Sequence, residues 1–519
     1  MNGAENLLET LTAAGLEVCF ANPGTSEMHL VSAIGNSERM RPVLCLFEGV
    51  ASGAADGYAR MLDKPALTLL HLGSGFANSM ANQHNAKRAH VPLVNMVGDH
   101  ATYHLKYDAP LTSDVAGHAR LVSDFVSVSD SADDLARAGA EAVQAAGRGA
   151  GRVATFIAPA NHAWEPASKT VPALEPQGLD AVGEEALEAV AGSLGNGKNT
   201  ALFLGGRALR EDALDAAGRI AAATGARLMC EVFPARMQRG VGRVAPQRLP
   251  YFAEGALETL ASVEQLILVG AAAPVAFFAY PGKPGWLAPE HCEILTLATV
   301  DEDAASALAA VADRVAAGAK AAVVPAAPEL PAPTGPLTPV AIGQSVVRSM
   351  PDEAIVVDEA ATCGLGIFPV TGQARRHDWL TLTGGAIGYG LPVALGAAIA
   401  CPDRKVLALQ ADGSAMYTLQ ALWSLAREQA DVTVVIMNNR SYAILNIELA
   451  RVGAGQPTPR TLSMLDLSRP DLDFVALAQG MGVAATRATC AEEFDAQLAE
   501  AMATPGPRLI EAMVVQQMP

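Results

Sequence analysis

Short runs of Val, Ile and Leu alternate with alanine-rich helical patterns along most of the chain. This alternation is typical of parallel β-strands that are connected and covered by helices, so it predicts an α/β fold of doubly wound parallel sheets. Two proline-rich stretches without periodicity, 165–178 and 323–339, interrupt the pattern and are typical of semi-rigid linkers. The sequence therefore predicts three α/β domains: 1–164, 180–322 and 340–519.

The apolar stretch 379–402 contains no charged residue and is long enough to cross a lipid bilayer. However, paired glycines interrupt it early, and ordinary α/β sequence flanks it on both sides. These features favour a strand, a turn and a tightly packed buried helix over a membrane span. We therefore expect no membrane partner.

Composition narrows the possible classes of function. Half of the 519 residues are hydrophobic and 17% are charged, which allows large buried cores. The net charge of −18 argues against a nucleic-acid partner. The seven cysteines are scattered, with no Cys-x-x-Cys pair, as is typical of a reducing compartment. The acidic N-terminus predicts a helix start and no signal peptide, so we expect a cytoplasmic protein.

Polar residues follow two predicted strands in the last domain. The strands are 404–410 and 432–437, with one predicted helix, 416–429, between them. Asp412 comes after the first strand and Asn439 after the second. Because such a β-α-β unit brings the carboxyl ends of both strands to one sheet edge, the two side chains should lie close together.

This arrangement suits a magnesium ion that carries a diphosphate. The Asp412 carboxylate, the Asn439 amide oxygen and the Ser441 carbonyl are oxygen ligands, of which Mg²⁺ needs few from protein. Gly413 would let the backbone approach the phosphate, and a helix beginning near Ser414 would offer free amides. Taken separately, the Asp-Gly-Ser and Asn-Asn segments would equally suit a helix cap and a loop. Their joint spacing favours the ligand interpretation.

The segment resembles the diphosphate-binding motif of thiamine-diphosphate-dependent enzymes, with Ala411 in place of the first glycine of Gly-Asp-Gly. The similarity covers nearly the whole chain and is closest to the benzoylformate decarboxylases and the acetolactate synthase large subunits. It implies the thiamine-diphosphate-binding fold, with an N-terminal pyrimidine-binding domain, a central domain and a C-terminal diphosphate- and Mg²⁺-binding domain. It also implies active sites shared between subunits of a homo-oligomer, with a dimer of dimers (a homotetramer) expected.

The resemblance assigns cofactor contacts to further residues. Glu48, which follows an apolar strand and begins a helix, becomes the acid that hydrogen-bonds N1′ of the aminopyrimidine. Its apolar neighbours predict a carboxylate that is removed from water, although an acid at a helix N-terminus has a structural explanation as well. Ile387 stands where a side chain bends the cofactor into a V. Gly385, Ala443 and Ile444 are expected beside the cofactor.

The resemblance also places two residues at the substrate. His71 occupies the position of a histidine near the reacting carbon, where proton transfer to or from the cofactor adduct is plausible chemistry. A structural histidine at a strand end is the competing interpretation. Thr25, in "ANPGTSE", corresponds to a serine that contacts the substrate carboxylate.

Several positions depart from the benzoylformate decarboxylase pattern. Ala279 stands where a second histidine is expected in the central domain, while Glu448 and Thr381 replace aromatic residues. Together with Leu445, Glu448 and Thr381 are predicted to line the substrate pocket. Because this lining lacks stacking partners for a ring, it favours a small or partly polar 2-oxo acid over an aryl one.

We therefore expect a thiamine-diphosphate- and Mg²⁺-dependent lyase or carboligase that acts on small-molecule 2-oxo acids. A C2 carbanion attacks the carbonyl, CO₂ leaves, and an enamine is protonated or captured by a second carbonyl. One alternative is an acetolactate synthase-type carboligase that uses pyruvate, with FAD in the central domain and a small regulatory subunit. FAD is not favoured, because "LFLGGRALRED" is only a weak candidate for a nucleotide-proximal turn. A non-catalytic homologue is a further alternative.

Overall fold

The computed structural model describes residues 1–168, 171–326 and 330–515. Three sheets with covering helices account for the described chain, and parallel pairing dominates all three. The predicted α/β class is therefore confirmed.

With the exception of β9, each sheet is formed by strands that follow one another in the chain. The first has the order β2-β1-β3-β4-β6-β5 and comprises β1 (Val18–Asn22), β2 (Arg41–Leu44), β3 (Ala66–Leu70), β4 (Leu93–Asp99), β5 (Phe125–Val128) and β6 (Val153–Pro159). The second has the order β10-β8-β7-β11-β12 and comprises β7 (Thr200–Leu204), β8 (Arg227–Cys230), β10 (Gln247–Arg248), β11 (Gln265–Val269) and β12 (Glu293–Ala298). The third has the order β17-β18-β16-β15-β13-β14-β9 and comprises β9 (Arg236–Arg239), β13 (Ala354–Glu359), β14 (His377–Thr381), β15 (Val406–Ala411), β16 (Val432–Asn438), β17 (Ala484–Ala488) and β18 (Arg508–Met513).

The helices connect and cover these strands. Those of the N-terminal part are α1 (Gly3–Ala13), α2 (Met28–Gly35), α3 (Glu48–Leu62), α4 (Leu72–Arg88), α5 (Val115–Val122), α6 (Ala132–Ala146) and α7 (Ala160–Trp164). The central part has α8 (Glu184–Ser193), α9 (Glu211–Thr224), α10 (Ala253–Leu260) and α11 (Ala304–Val315). The C-terminal part has α12 (Pro339–Ser349), α13 (Gly364–Val370), α14 (Gly390–Ala400), α15 (Asp412–Ala415), α16 (Ala421–Arg427), α17 (Ala443–Arg451), α18 (Pro459–Ser463), α19 (Phe474–Gly480) and α20 (Ala491–Ala503).

Successive side chains of a strand pack into two different hydrophobic cores, one on each face of the sheet. In β1, Val18 and Phe20 belong to one buried cluster, while Cys19 and Ala21 belong to another. Because side chains alternate between the faces of a strand, both faces of the first sheet are covered by helices. This is the doubly wound arrangement that the near-continuous apolar runs predict.

Helices α3 and α14 join the first and third sheets. A Cβ added at Gly396 would lie 1.8 Å from the Ala54 carbonyl oxygen, and one at Gly57 would lie 2.2 Å from the Val393 carbonyl oxygen. The two backbones can approach this closely only because both positions lack a side chain. One hydrophobic core therefore runs continuously from the first sheet into the third.

The stretch 379–402 forms the end of β14, a glycine-containing loop and the buried helix α14, as expected from the sequence. Among the described residues, no helix has the length and apolar character that a bilayer crossing requires.

Two features differ from the sequence-based expectations. The single helix predicted over 416–429 is instead a short turn, α15, followed by α16, because residues 416–420 form turns before α16 begins. In addition, β9 comes from the predicted central domain but pairs antiparallel with β14 at the edge of the third sheet. The proposed domain boundaries are therefore crossed by one strand.

Candidate active site

The two segments predicted to hold a metal lie at the carboxyl edge of the third sheet. Strands β15 and β16 are paired in parallel, with Ala411 opposite Met437, so the residues that follow them meet. Asp412 is buried, and its Oδ2 accepts hydrogen bonds from the backbone N–H of Asn439 (3.1 Å) and Arg440 (2.7 Å). The structure thus brings Asp412 and Asn439 together across 27 positions of sequence.

The electrostatics of this loop are those of a buried carboxylate held by backbone donors. Burial raises the pKa of Asp412, and N–H groups of Gly413, Arg440, Asn439 and Ser441 oppose this rise. The Asn439 side-chain oxygen accepts from the Ser441 N–H at 2.9 Å. A bound cation would compensate for the desolvation of the carboxylate.

The donor set fits a hard cation such as Mg²⁺. The carboxylate of Asp412, the amide oxygen of Asn439 and the carbonyl of Ser441 each have oxygen lone pairs beyond the N–H bonds they accept. No cluster of three or more His, Cys, Asp or Glu that could hold a metal occurs among the described residues. This agrees with an ion that keeps water and ligand phosphates in its shell.

Gly413 and Ser414 occupy the turn next to the proposed ion. A Cβ at Gly413 would lie 2.4 Å from the ring of Tyr442, so only glycine fits there. The Ser414 hydroxyl donates to the Ala411 carbonyl at 3.2 Å and accepts from the Gln410 amide. Only one helical turn, α15, provides amides here, in place of the predicted longer helix.

A buried glutamate that sequence reasoning missed anchors the loop carrying Ile387. Glu359 accepts from the N–H of Gly388 and of Gly390, both at 2.7 Å, and from the Gln410 amide at 2.9 Å. Burial raises the pKa of Glu359, and these hydrogen bonds act in the opposite direction. An acid at the end of the apolar run "AIVVDE" was the available signal, because β13 ends at the same sheet edge as β15.

Helix α4 ties the Ile387 loop to the neighbourhood of Glu48. Asn82 donates its amide to the carbonyls of Gly49 (2.8 Å) and Gly388 (3.1 Å). Asn85 donates to the Ala386 carbonyl at 2.8 Å and accepts from the Ala386 N–H at 3.2 Å. The residues that follow Glu48 and Ile387 are therefore bridged within one chain.

Glu48 is the first residue of α3, as expected from the sequence. It is half-buried, and its Oε2 accepts a hydrogen bond from the Asn78 amide at 3.0 Å. Val50 is fully buried, whereas Leu46 is 48% exposed. Within a single chain the predicted apolar surroundings therefore shield this carboxylate only in part.

His71 lies at the N-terminus of α4, where β3 ends beside β1. Its Nδ1 is 2.9 Å from Oε2 of Glu27 and 3.3 Å from Oγ of Ser26. The side chain of Thr25 is exposed on the same turn. The structure thus brings Ser26 and Glu27 to the histidine, two residues that the sequence analysis did not single out.

The predicted pocket residues are distributed unevenly. Leu445 is 45% exposed on α17, and Ala443 and Ile444 are half-buried in the same helix. On this helix, Glu448 lies 3.8 Å from the Arg451 guanidinium. Thr381 instead lies buried in β14 and donates its hydroxyl to the Pro234 carbonyl at 2.6 Å. Its hydrogen bond and burial indicate a packing role, so the prediction that it lines a pocket is not supported.

Aromatic side chains from the central part stand beside α17 and the cofactor loop. A Cβ at Gly385 would lie 2.7 Å from the ring of Phe277. That ring is 5.7 Å from the ring of Phe233 and 5.5 Å from that of Tyr251, while Arg451 lies over Phe252 at 4.3 Å. Leu445, Glu448 and Thr381 provide no ring, as the sequence analysis noted, but rings from the central part of the chain stand near Gly385 and α17.

A mainly parallel sheet that carries an Asp-Gly turn against an Asn loop, beside a glutamate-anchored loop, is typical of α/β proteins that bind a diphosphate cofactor. The profile "Thiamine pyrophosphate enzyme, N-terminal TPP binding domain" matches residues 1–119, and that of the C-terminal TPP binding domain matches residues 365–512. The chain belongs to the thiamine pyrophosphate enzyme family.

Similar proteins extend this relationship over the full length. A Mycobacterium tuberculosis protein, IlvX, provisionally named as an acetolactate synthase large subunit, is 53% identical over 516 residues, with 99% of each chain covered. Benzoylformate decarboxylase of Pseudomonas aeruginosa is 30% identical, with 97% of each chain covered. The structure of the thiamine diphosphate-dependent 4-hydroxybenzoylformate decarboxylase of Rhodococcus jostii RHA1 superposes with a TM-score of 0.88 at 26% identity, covering both chains completely. The protein is thus a thiamine-diphosphate-dependent enzyme related to benzoylformate decarboxylase and acetolactate synthase.

Proposed function

We propose that the protein is a thiamine-diphosphate- and Mg²⁺-dependent lyase that decarboxylates 2-oxo acids, releasing an aldehyde or joining the product to a second carbonyl. The observation that carries this proposal is the convergence of Asp412, Asn439 and the Glu359-anchored loop at one edge of the third sheet. The relatives named for benzoylformate and 4-hydroxybenzoylformate decarboxylation support a 2-oxo acid as the substrate.

The residues have distinct proposed roles at the cofactor. Asp412, Asn439 and Ser441 hold Mg²⁺, and Gly413 and Ser414 form the turn beside the diphosphate. When bound, thiamine diphosphate supplies the carbanion that attacks the substrate carbonyl and takes up the electron pair released with CO₂.

A second group of residues sets the geometry of the reaction. Ile387 supports the bent cofactor, with Gly385, Ala443 and Ile444 beside it, and Glu48 provides the acid at the aminopyrimidine. His71 moves a proton at the reacting carbon. Thr25, Leu445 and Glu448 lie around the substrate. Holding these groups in one arrangement lowers the entropic cost of reaction.

The site is proposed to be completed in a homo-oligomer, a dimer of dimers, in the cytoplasm. Leu46, beside Glu48, is 48% exposed in the single chain, and Met416 and Tyr417, beside the metal loop, are 40% and 52% exposed. Large apolar side chains so close to a cofactor site favour burial against another copy of the chain.

The proposal is tested with cofactor-depleted protein and a panel of aliphatic, aromatic and acidic 2-oxo acids. We expect CO₂ release from at least one class, restored only when thiamine diphosphate and Mg²⁺ are both added. The aromatic side chains around Phe277 make the aromatic acids the first to assay. Absence of turnover across the panel, or turnover without Mg²⁺, would contradict the proposal.

One observation favours acetolactate synthase-type chemistry as a second candidate. A cavity of about 760 Å³ lies between the N-terminal and central parts, and its lining includes Arg60, Arg152, Arg207, Arg210 and Arg236. Among the described residues, Nε and Nη1 of Arg210 have no hydrogen-bond partner. The lining also contains Asp63, Asp124 and Glu231, but its cations outnumber these carboxylates in a chain of net charge −18. An excess of cations suits an anionic dinucleotide such as FAD.

Gly205 and Gly206 begin the "GGRALRED" turn at the carboxyl end of β7. Gly206 lines this cavity and has a φ of +50°, which favours glycine. A yellow purified protein with a flavin absorbance spectrum, together with acetolactate formed from pyruvate, would place this candidate first. Colourless active protein would exclude bound FAD. The presence of Glu48 together with the oxygen ligands Asp412 and Asn439 argues against a non-catalytic homologue.

A further inference from the structure

Glu27 is a fully buried acid beside the proposed catalytic histidine. Its side chain has no solvent exposure, and its only ion-pair partner among the described residues is His71. Oε2 accepts from the Gly24 N–H at 2.7 Å and lies 2.9 Å from His71 Nδ1, while Oε1 accepts from the Ser26 hydroxyl at 2.5 Å. Burying a carboxylate costs free energy unless donors surround it, and here every close donor belongs to the turn or to the histidine.

The backbone leaves space for this pair at two glycines. A Cβ at Gly98 would lie 1.8 Å from Oε1 of Glu27, and a Cβ at Gly24 would lie 2.1 Å from Nδ1 of His71. Any side chain at either position would push one partner away from the other. The end of β4, the turn 25–27 and the start of α4 therefore converge on one hydrogen bond.

We infer that Glu27 is the positioning residue for His71 in the proposed reaction, an inference that rests on the proposed function. A carboxylate can only accept, so Nδ1 of His71 must be the donor, and the ring is held as the Nδ1–H tautomer. None of the described residues forms a hydrogen bond with Nε2. This nitrogen is therefore the atom that exchanges a proton with the reacting carbon.

The proton balance of this step is simple. The donating state is the imidazolium, which carries a proton on both ring nitrogens. Transfer of the Nε2 proton to the carbon leaves the neutral Nδ1–H ring, which still donates to Glu27. Uptake of a proton from solvent at Nε2 restores the starting state. Glu27 acts only as a hydrogen-bond acceptor in this step, and Ser26 continues to donate to its other oxygen.

Glu27→Gln is the principal test, because glutamine keeps the shape but presents no charge. We expect kcat to fall about ten-fold or more, with KM and the dissociation constant for thiamine diphosphate changed less than about two-fold. Glu27→Asp should recover part of kcat if charge is what matters. Glu38→Gln, the same change at an exposed position of the same part, should leave all three quantities unchanged.

A spectroscopic measurement determines the tautomer of His71 beside Glu27 independently of catalysis. In holoenzyme labelled with ¹⁵N-histidine, the ring signals of His71, assigned by their loss in His71→Asn, should show Nδ1 protonated in the wild type. Glu27→Gln should change that tautomer ratio. If the neutral ring of wild-type His71 carries its proton on Nε2, the inference is wrong.

Two kinetic results would also overturn it: wild-type kcat in Glu27→Gln, or a parallel loss of kcat, cofactor binding and thermal stability, which would indicate a purely structural acid. Should no 2-oxo acid turn over, the proposed function fails, and the NMR measurement alone then decides whether Glu27 fixes the tautomer of His71.

Discussion

Glu48 makes few contacts in the chain that would explain its presence by packing. It is half-buried, and a single side-chain hydrogen bond, from Asn78, reaches its carboxylate among the described residues. An acid placed at a helix N-terminus gains a modest stabilisation from the helix dipole. A substitution of Glu48 should therefore affect the proposed role at the cofactor much more than the stability of the fold.

Glu48→Gln should lower kcat by about 100-fold or more, because glutamine cannot supply the proton-transfer chemistry of a carboxylic acid. The free energy of unfolding should change by less than about 1 kcal/mol. Steady-state CO₂ release and urea denaturation of the same preparations measure the two effects. Unchanged turnover would contradict the assigned role, and Glu17→Gln, at an exposed position of the same part, serves as the control.

Glu231 predicts a pH dependence of stability. Partial burial at the wall of the cavity between the N-terminal and central parts raises the pKa of Glu231 to about 7, from an ordinary value of 4.5. Among the described residues, its Oε1 accepts one long hydrogen bond of 3.4 Å, from the Gly206 N–H. Between these two pH values the folded state binds more protons than the unfolded one. The contribution of this group to stability is therefore full below about pH 4.5 and is lost as pH rises through about 7.

Glu231→Gln stays neutral at every pH. Relative to wild type, its free energy of unfolding should be similar near pH 5 and higher by about 1–3 kcal/mol near pH 8. Denaturation curves at several pH values measure this difference. A difference that stays constant with pH would show that the Glu231 carboxylate is not desolvated in the folded state.

At the scale of secondary structure, the contact between α3 and α14 leaves very little space between two helix backbones. Gly396 in α14 faces the backbone of Ala54 in α3 with no space for a methyl group. Close contact between two helix backbones leaves the surrounding side chains little freedom to adjust. The helix that begins with Glu48 is thereby fixed against the helix that follows the Ile387 loop.

Gly396→Ala should therefore destabilise the protein by ~1–3 kcal/mol or more, because an added methyl group overpacks this contact. Gly192→Ala provides the matched comparison, since Gly192 lies in α8 with no atom within 4 Å of its Cβ position. That substitution should stabilise the protein by up to about 1 kcal/mol. Thermal denaturation of both variants measures the contrast, and equal melting temperatures would contradict the close approach.

The sequence predicted those elements whose partners are neighbours in the chain. Strands β15 and β16 are consecutive, so the meeting of Asp412 and Asn439 could be anticipated from one β-α-β unit. The pairing of Glu27 with His71 depends on β1 lying beside β3, with Asn22 opposite Leu70. That adjacency skips β2 and cannot be inferred from the pattern of a single segment.

The aromatic cluster and β9 escaped prediction for a related reason. Phe277 reaches Gly385 only through the packing of the central part against α17. The segment Arg236–Arg239 reads "RMQR" and has no apolar run that would predict a strand. Side chains that function across separate parts of a chain leave no periodic signal in either part.

For the whole molecule, binding of the cofactor with its metal should increase stability. A ligand that binds only the folded state adds about 2.7 kcal/mol when present at 100 times its dissociation constant. We expect thiamine diphosphate to raise the melting temperature strongly only when Mg²⁺ is present. Asp412→Asn should abolish the Mg²⁺-dependent part of this rise, whereas Asp352→Asn, at an exposed position, should preserve it.

A network of charges also links the three parts. Arg236 of β9 bonds to Asp378 of β14 at 2.5 Å and donates to the carbonyls of Arg60 and Met61 in α3, and Arg404 bonds to Asp378 at 2.6 Å. Burial alone would raise the pKa of Asp378, but Arg236 and Arg404 outweigh it and hold this pKa below its ordinary value.

The antiparallel strand β9 limits how the protein can be re-engineered. A chimaera that exchanges only residues 180–322 with a homologue would replace β9, the edge strand of the third sheet. It would also replace Arg236, whose hydrogen bonds connect β9 to α3 and β14. Unless the exchanged segment supplies an equivalent edge strand, the backbone N–H and C=O groups of β14 would be exposed, and two copies of the protein could associate through them. Recombination at the two proline-rich junctions will succeed only when both parent proteins have the β9–β14 strand pair and the contact between Arg236 and Asp378.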